Sequence, residues 1–242
     1  MRTPIWTRAS QPAFLTLTAL AFLTMAACAP SASDEEATGA AKQAALVDNA
    51  LVDNALNDPN ARELYKYIVS CALPADAQVV HTIGDETYVF DGGLGLAPEW
   101  GEMGGSCDAE CRSWVSGCVI ARLDYLGQHV LISVRGDNDG LHTTKQERKD
   151  YKKPEATYYG DIFAQPQKIY ACLAPGKTQI PRVCGPSIAD CVVDVQGYCP
   201  TLCGHREDDG AYPECREAPT VKPSGQIKPG KKHVGSVTVF LQ

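Results

Sequence analysis

Cysteine placement constrains this chain more than any other feature. Ten cysteines lie beyond residue 70: Cys71, Cys107, Cys111, Cys118, Cys172, Cys184, Cys191, Cys199, Cys203 and Cys215. An eleventh, Cys28, stands alone near the start. Thiols at this density become cross-links in an oxidising compartment, and metal ligands or reactive groups in a reducing one. The fold that these cysteines permit therefore depends on where the chain is sent.

The first residues bear on that. Arg2 and Arg8 give a positive start without acids, and Ala13 to Ala27 is an uncharged, mostly apolar run. Residues 1–27 have the layout of a secretory signal peptide. The run is shorter than the roughly 20 apolar residues of a spanning helix, and no later segment reads as long and apolar enough to cross a bilayer. Met25-Ala26-Ala27-Cys28 resembles the lipobox of bacterial lipoproteins. That resemblance implies that the signal is removed just before Cys28 and that the Cys28 thiol carries the acyl chain, palmitate for example, that anchors the protein in a membrane. Ala29, in place of the retention-signal Asp, implies sorting to the outer membrane. The alternative cut, after Ala29, would put Pro30 directly behind it. With Cys28 acylated, the mature fold keeps an even set of cysteines, and export predicts that they pair.

Residues 28–57 read as lipid anchor and flexible tether. The stretch 29–57 has no aromatic residue and is rich in Ala, Ser, Asp, Glu and Asn, so it buries too little apolar surface to offset the entropy of ordering. Ala45-Leu-Val-Asp-Asn, Ala50-Leu-Val-Asp-Asn and Ala55-Leu-Asn-Asp repeat with a period that matches neither helix nor strand, which reads as a duplicated spacer. A net charge of −7 argues against nucleic acid and anionic lipid surfaces as partners. Lys145, Arg148, Lys149, Lys152 and Lys153, interrupted by Glu147 and Asp150, read as a solvated basic face.

Residues 58–242 are expected to form one disulfide-stabilised domain. Asn60-Ala-Arg-Glu63 reads as a capping box, with Ala61, Leu64, Ile68 and Cys71 on the inward face of a helix that stops near Leu73, before Pro74. Residues 78–83 and 87–90 flank Gly84-Asp85 as a hairpin. Residues 91–106 read as a glycine-rich loop. A second helix is predicted over 108–126, a buried strand over 128–134, another over 168–173 and a closing strand over 233–241. Residues 172–232 form a loop-rich, cysteine-rich lobe. The fold class is α+β: a small mixed domain with two helices and a mostly antiparallel sheet.

On the second helix, Cys107, Cys111 and Cys118 fall on one face with Trp114 and Val115, which predicts an inward stripe. Cysteines one turn apart on a regular helix run parallel and bond each other poorly. At least two of the three are therefore expected to bond other segments, with Cys71 and Cys172 as natural partners. Cysteines up to Cys172 and cysteines from Cys184 onward are both odd in number, so complete pairing needs a bond between the groups.

Tyr67-Ile-Val-Ser-Cys-Ala-Leu-Pro74, Leu94-Gly-Leu-Ala-Pro-Glu-Trp100, Cys111-Arg-Ser-Trp-Val-Ser-Gly-Cys118 with Ala121-Arg122, and Glu155-Ala-Thr-Tyr-Tyr-Gly-Asp-Ile-Phe163 together resemble a group of cysteine-rich exported proteins of myxobacteria. The resemblance covers most of residues 60–242. It implies secretion and disulfides, and carries no catalytic or binding residue over.

Other constellations weigh toward structure. Cys199-Pro-Thr-Leu-Cys203-Gly-His205 offers three metal-ligand types, but the spacing is poor for zinc and the compartment favours disulfides, so no metal and no cofactor is expected. Arg135-Gly-Asp137-Asn-Asp139-Gly140 resembles part of a calcium loop, yet Arg135 and Gln146 fall where the strongest ligands belong. The histidines, His81, His129, His142, His205 and His233, are scattered, and no G-x-S-x-G or HExxH occurs. Trp100, Tyr151, Tyr158 and Tyr159 read as loop aromatics on which an extended ligand could stack, or as anchors packed under those loops. The expected function is a lipid-anchored binding or structural module of the envelope, with a protein or glycan ligand. The alternative is an exported hydrolase using carboxylates or histidines from separate segments.

Overall fold

The computed structural model describes residues 56, 58–102, 105–125, 127–188 and 191–242. The signal, Cys28 and all of the tether except Leu56 lie outside the described residues. The first helix, α1 (Pro59–Ala72), is capped by Asp58, whose carboxylate accepts from Asn60 N at 2.8 Å, with Pro59 at the first helical position. The aspartate cap and proline start win over the expected Asn60 cap, because the missing proline N–H is one the first turn does not use. Tyr65, Ile68, Val69, Cys71 and Ala72 are the buried face. The last turn of α1 would leave carbonyls unmet. The glycine-rich loop meets them: Leu94 N donates to Ser70 O, Leu96 N to Cys71 O and Ala97 N to Ala72 O, at 2.9–3.0 Å. At Gly93 a side chain would sit 2.6 Å from Ser70 O, so this close approach needs glycine. Strands β1 (Gln78–Ile83) and β2 (Glu86–Asp91) form the expected hairpin, turning at Gly84 with φ +62.

Helix α2 (Ala109–Ala121) starts at an Asp108 cap that accepts from Glu110 N and Cys111 N. Every residue from Ser113 to Ala121 is buried. The expected single stripe is therefore corrected: this helix is enclosed, because α1 packs on one side of it and the main sheet on another.

Beyond α2 the chain runs through β3 (Ser133–Arg135), α3 (Lys145–Asp150), β4 (Lys153–Asp161), β5 (Lys168–Leu173), α4 (Pro181–Cys184), β6 (Asp194–Tyr198) and α5 (Cys199–Leu202). Four two-residue strands follow, β7 (Cys215–Arg216), β8 (Thr220–Val221), β9 (Ile227–Lys228) and β10 (Lys232–His233), and then β11 (Val237–Leu241). The main sheet has the order β3-β11-β4-β5-β6, antiparallel except between β5 and β6. The fold is α+β, disulfide-rich and mostly antiparallel; the described helices are α1 and α2 plus three short ones.

Strand alternation gives this sheet two buried faces. Ala156 and Tyr158 of β4, Ala171 and Leu173 of β5, and Val237 and Val239 of β11 join the core around α1 and α2. Tyr159 and Cys172 join a second cluster with Cys199, Leu202, Tyr212 and Cys215. Thr157 and Thr238 meet by their hydroxyls at 2.9 Å, and Tyr212 N donates to Thr238 Oγ1. The cysteine-rich segment thus covers the sheet face that the helices do not.

One central strand was not expected, and two expected strands differ. Strand β4, in the middle of the sheet, carries no period-2 signal, because both of its faces are buried. The predicted strand over 128–134 is reduced to β3, and residues 128–131 are exposed, because β11 offers partners only from Thr238 to Phe240. The predicted strand over 233–241 breaks between β10 and β11. A side chain at Gly235 would lie 2.2 Å from Trp114 N, so the chain is pressed against α2 there.

Among the described residues there are five disulfides: Cys71–Cys118, Cys107–Cys111, Cys172–Cys199, Cys184–Cys191 and Cys203–Cys215. Of the three cysteines assigned to the second helix, only Cys118 bonds another segment, fewer than expected. Cys107 precedes the extended cap residue Asp108 and is not helical, so its Cα comes within 5.2 Å of Cys111 and the two bond each other. Cys172–Cys199 is the bond between the upstream and downstream groups. Several disulfides fit an oxidising, exported environment. Among the described residues, no helix is long and apolar enough to cross a membrane.

Candidate functional site

Asn60, Glu63, Leu64 and Tyr67 recur at the spacing of one helical face, turned away from the buried face of α1. They form one wall of a groove of about 760 Å³. Val119 and Leu123, at and beyond the C-terminal end of α2, line it with residues 127–132. The part of the predicted strand that stays outside β3 thus supplies this wall, and Val130 and Leu131 stand 43 % and 69 % exposed on it. Leu64, Val119 and Leu123 also line a second cavity of about 370 Å³, completed by Ile68, Ile120, Ile162, Phe163, Gln165, Gln167 and Ile169. The two share walls, so one end of the site is apolar and the other polar. Each of the two lies in the size range of small-molecule sites, roughly 300–1,000 Å³.

Two arginines line the polar end, and they are held differently. Arg182 is tied down. Its Nη2 lies 2.6 Å from Glu155 Oε2 and 3.1 Å from the Tyr158 hydroxyl, and its Nη1 donates to Leu123 O. Tyr158 OH in turn donates to Glu155 at 2.9 Å. Burial pulls the Arg182 guanidinium down, but the Tyr158 oxygen and the Glu155 carboxylate outweigh it and hold it above its ordinary value. Burial raises the Tyr158 hydroxyl well above its usual range, with Glu155 adding to the effect. Among the described residues Arg122 has no such neutraliser: its Nη1 donates to Ser70 Oγ at 2.6 Å, and that hydroxyl donates to Tyr67 O. Burial pushes Arg122 below its ordinary value, and its electrostatic partner is Tyr67. A guanidinium keeps its proton under these conditions. The groove therefore offers a fixed cation beside an apolar pocket, which can orient an anionic group.

Other predicted residues lie elsewhere. Of the four aromatics, three are packing anchors and not a stacking surface: Trp100 is 2 % exposed, and Tyr158 and Tyr159 are fully buried on β4, while Tyr151 is half-buried. Trp100 packs edge-on to Phe163 at 5.5 Å. Cys199 and Cys203 are both in disulfides, and His205 is exposed. The sulfurs of Cys172, Cys203 and Cys215 lie within 4.8 Å of one another because two disulfides sit side by side. In the calcium-like run, Arg135 is buried and Asn138 accepts from Gly140 N, as a turn would have it. His129 lines the groove; His142 is exposed beside Asp139. His233 is buried, with Nε2 3.1 Å from Glu217 Oε1, and Lys168 reaches the same oxygen at 3.2 Å. Neither His233 nor Glu217 lines the groove.

Sequence reasoning missed the groove. The i, i+3, i+4, i+7 spacing of Asn60, Glu63, Leu64 and Tyr67 was its one readable signal, and Leu64 was assigned to the buried face. Comparison with known protein families, with curated proteins and with solved structures finds no match.

Proposed function

We propose that this chain is an exported binding module, anchored by an acylated Cys28 at the outer membrane and carrying a groove for a small amphipathic carboxylate. The observation that supports the ligand class is Arg122, a cation with a hydroxyl partner and, among the described residues, no carboxylate partner, beside a pocket lined by Leu64, Val119, Ile120 and Leu123. A carboxylate head pairs with Arg122 while its chain takes the apolar end. The disulfides let a modest core hold such a site open outside the cell. No second reading is favoured, because the shifted groups in the groove are arginines and not acid–base pairs.

The test uses Cys28→Ser, which is expected to leave the membrane fraction as an unacylated chain. Calorimetric titration with dodecanoate and dodecanol should show the carboxylate binding at least about tenfold tighter, equivalent to about 1.4 kcal/mol. Arg122→Gln should erase that preference. Failure of both ligands to bind, or a preference that survives Arg122→Gln, would overturn the reading.

A further inference from the structure

A third cavity, at the β3 edge of the main sheet, holds charges that the groove does not explain. Arg135 on β3 is only 3 % exposed. A buried guanidinium is costly unless its charge is matched. Its Nε donates to Ser133 Oγ, Nη1 to the Asp209 carbonyl and Nη2 to the Tyr151 carbonyl, and it stacks on the Phe240 ring at 3.7 Å. All four partners are neutral. They occupy three of the five N–H groups a guanidinium carries.

Two more arginines are fixed in the same manner. Arg148 Nη1 donates to Thr143 O and Oγ1 at 2.7 and 3.2 Å. Arg206 Nε donates to Gly210 O at 3.0 Å, across a turn closed by Gly210 N to Glu207 O. At Gly210, with φ +94, a side chain would lie 2.8 Å from both Arg206 Nη2 and the Phe240 ring, so glycine lets this turn fold down against the sheet. Arg135, Arg148, Arg206 and Lys152 line one cavity of about 290 Å³, together with Glu207, Asp208 and Asp209. Asp209 Oδ1 is occupied by Ala211 N at 2.8 Å. Among the described residues, none of the three arginines is ion-paired with these acids.

We propose that this cavity binds a tetrahedral oxyanion, phosphate or a phosphate monoester, between Arg135, Arg148 and Arg206. Arginines held by backbone carbonyls and hydroxyls are positioned without being neutralised, so little reorganisation opposes binding. Their planar donor forks match the oxygens of phosphate. Burial lowers the Arg135 guanidinium, and Arg148 and Arg206 push it the same way against Asp209 and Glu147, so an anion in the cavity would relieve it.

The experiment is thermal unfolding of the mature full-length chain, at constant ionic strength set with sodium chloride. Inorganic phosphate, glucose 6-phosphate and a short-chain phosphatidic acid are titrated separately. At least one should raise Tm saturably by several degrees, and which one does so separates a free or sugar phosphate from a lipid headgroup. Arg148→Gln with Arg206→Gln, at positions outside the core, should lose at least nine-tenths of that shift while unfolding as cooperatively as the parent. Arg122→Gln should keep the shift in full, which separates this site from the groove. No shift with any of the three, a shift reproduced by sodium chloride, or a shift kept by the double variant would each overturn the proposal.

Discussion

At the scale of single residues, identity says less than partnership. Arg122, Arg135 and Arg182 are alike in the sequence, yet one meets a hydroxyl, one a set of carbonyls and one a buried carboxylate. Those partners lie up to 74 positions away in the chain, out of reach of any local pattern. His233 has the same character, and its chemistry is testable through pH. Burial lowers its pKa, with Glu217 opposing. Burial pushes the Glu217 carboxyl up, but His233 and Lys168 outweigh that and hold it low. A histidine lowered in the folded state favours the neutral form, so its contribution is present above the unfolded value of about 6.5 and lost as pH falls below it. Glu217 contributes above its unfolded value and loses that only at more acid pH. Stability should therefore decline first just below about pH 6.5, before carboxylates protonate. Urea midpoints at pH 7, 6 and 5 should show this decline in the parent, and a flatter profile in His233→Gln, which keeps a hydrogen-bonding side chain without the titration. Parallel profiles would remove His233 as the source.

Elements were legible where one side of the chain settles their form. The helical spacing of Cys111, Trp114, Val115 and Cys118 marks α2, and Gly84-Asp85 between β-rich runs marks the hairpin. Elements buried on both sides were not. Strand β4 alternates Ala156, Thr157, Tyr158 and Tyr159 with no polar face, and α2 has no stripe because neighbours enclose it. Asp124, inside the predicted helix over 108–126, follows the end of α2 and accepts from Gln128 N. The bonds of α2 test how its ends are held. Cys71–Cys118 closes a separation of 47 residues and joins α1 to α2, whereas Cys107–Cys111 spans 4 and only ties down the cap. Chain-entropy arguments assign about 4 kcal/mol to the first and about 2 kcal/mol to the second. Replacing both members of each pair with Ala should therefore lower the urea midpoint about twice as far for Cys71–Cys118. Equal losses would mean that the local bond also carries the α1–α2 packing.

At the scale of the whole molecule, the sheet divides the two proposed sites. The groove is built from α1, the end of α2 and the loops beside them, on the face covered by helices. The arginine cavity takes Arg206 and Gly210 from the cysteine-rich segment and Arg135 and Phe240 from the sheet edge. Count and parity of the cysteines made a bond between the two halves of the set readable in advance; its consequence, a tail laid over the second sheet face, needed the strand alternation of β4, β5 and β11. Cys172–Cys199 is where that tail is fastened, since Cys203–Cys215 closes within the tail and Cys184–Cys191 within the preceding loop. Removing it frees a separation of 27 residues, worth about 3–4 kcal/mol on chain-entropy grounds. Much of that loosening should fall on the segment it releases, because Tyr159, Leu202 and Tyr212 pack around the bond itself. In Cys172→Ala with Cys199→Ala, amides of residues 199–216 should exchange faster while those of α1 and α2 stay protected. The phosphate response should weaken with them, because Arg206 rides on the released segment. Dodecanoate binding should persist, because no groove residue does. Loss of both responses together would show that the two faces of the sheet unfold as one unit, and the separation of the sites argued from the alternation of β4 would fall.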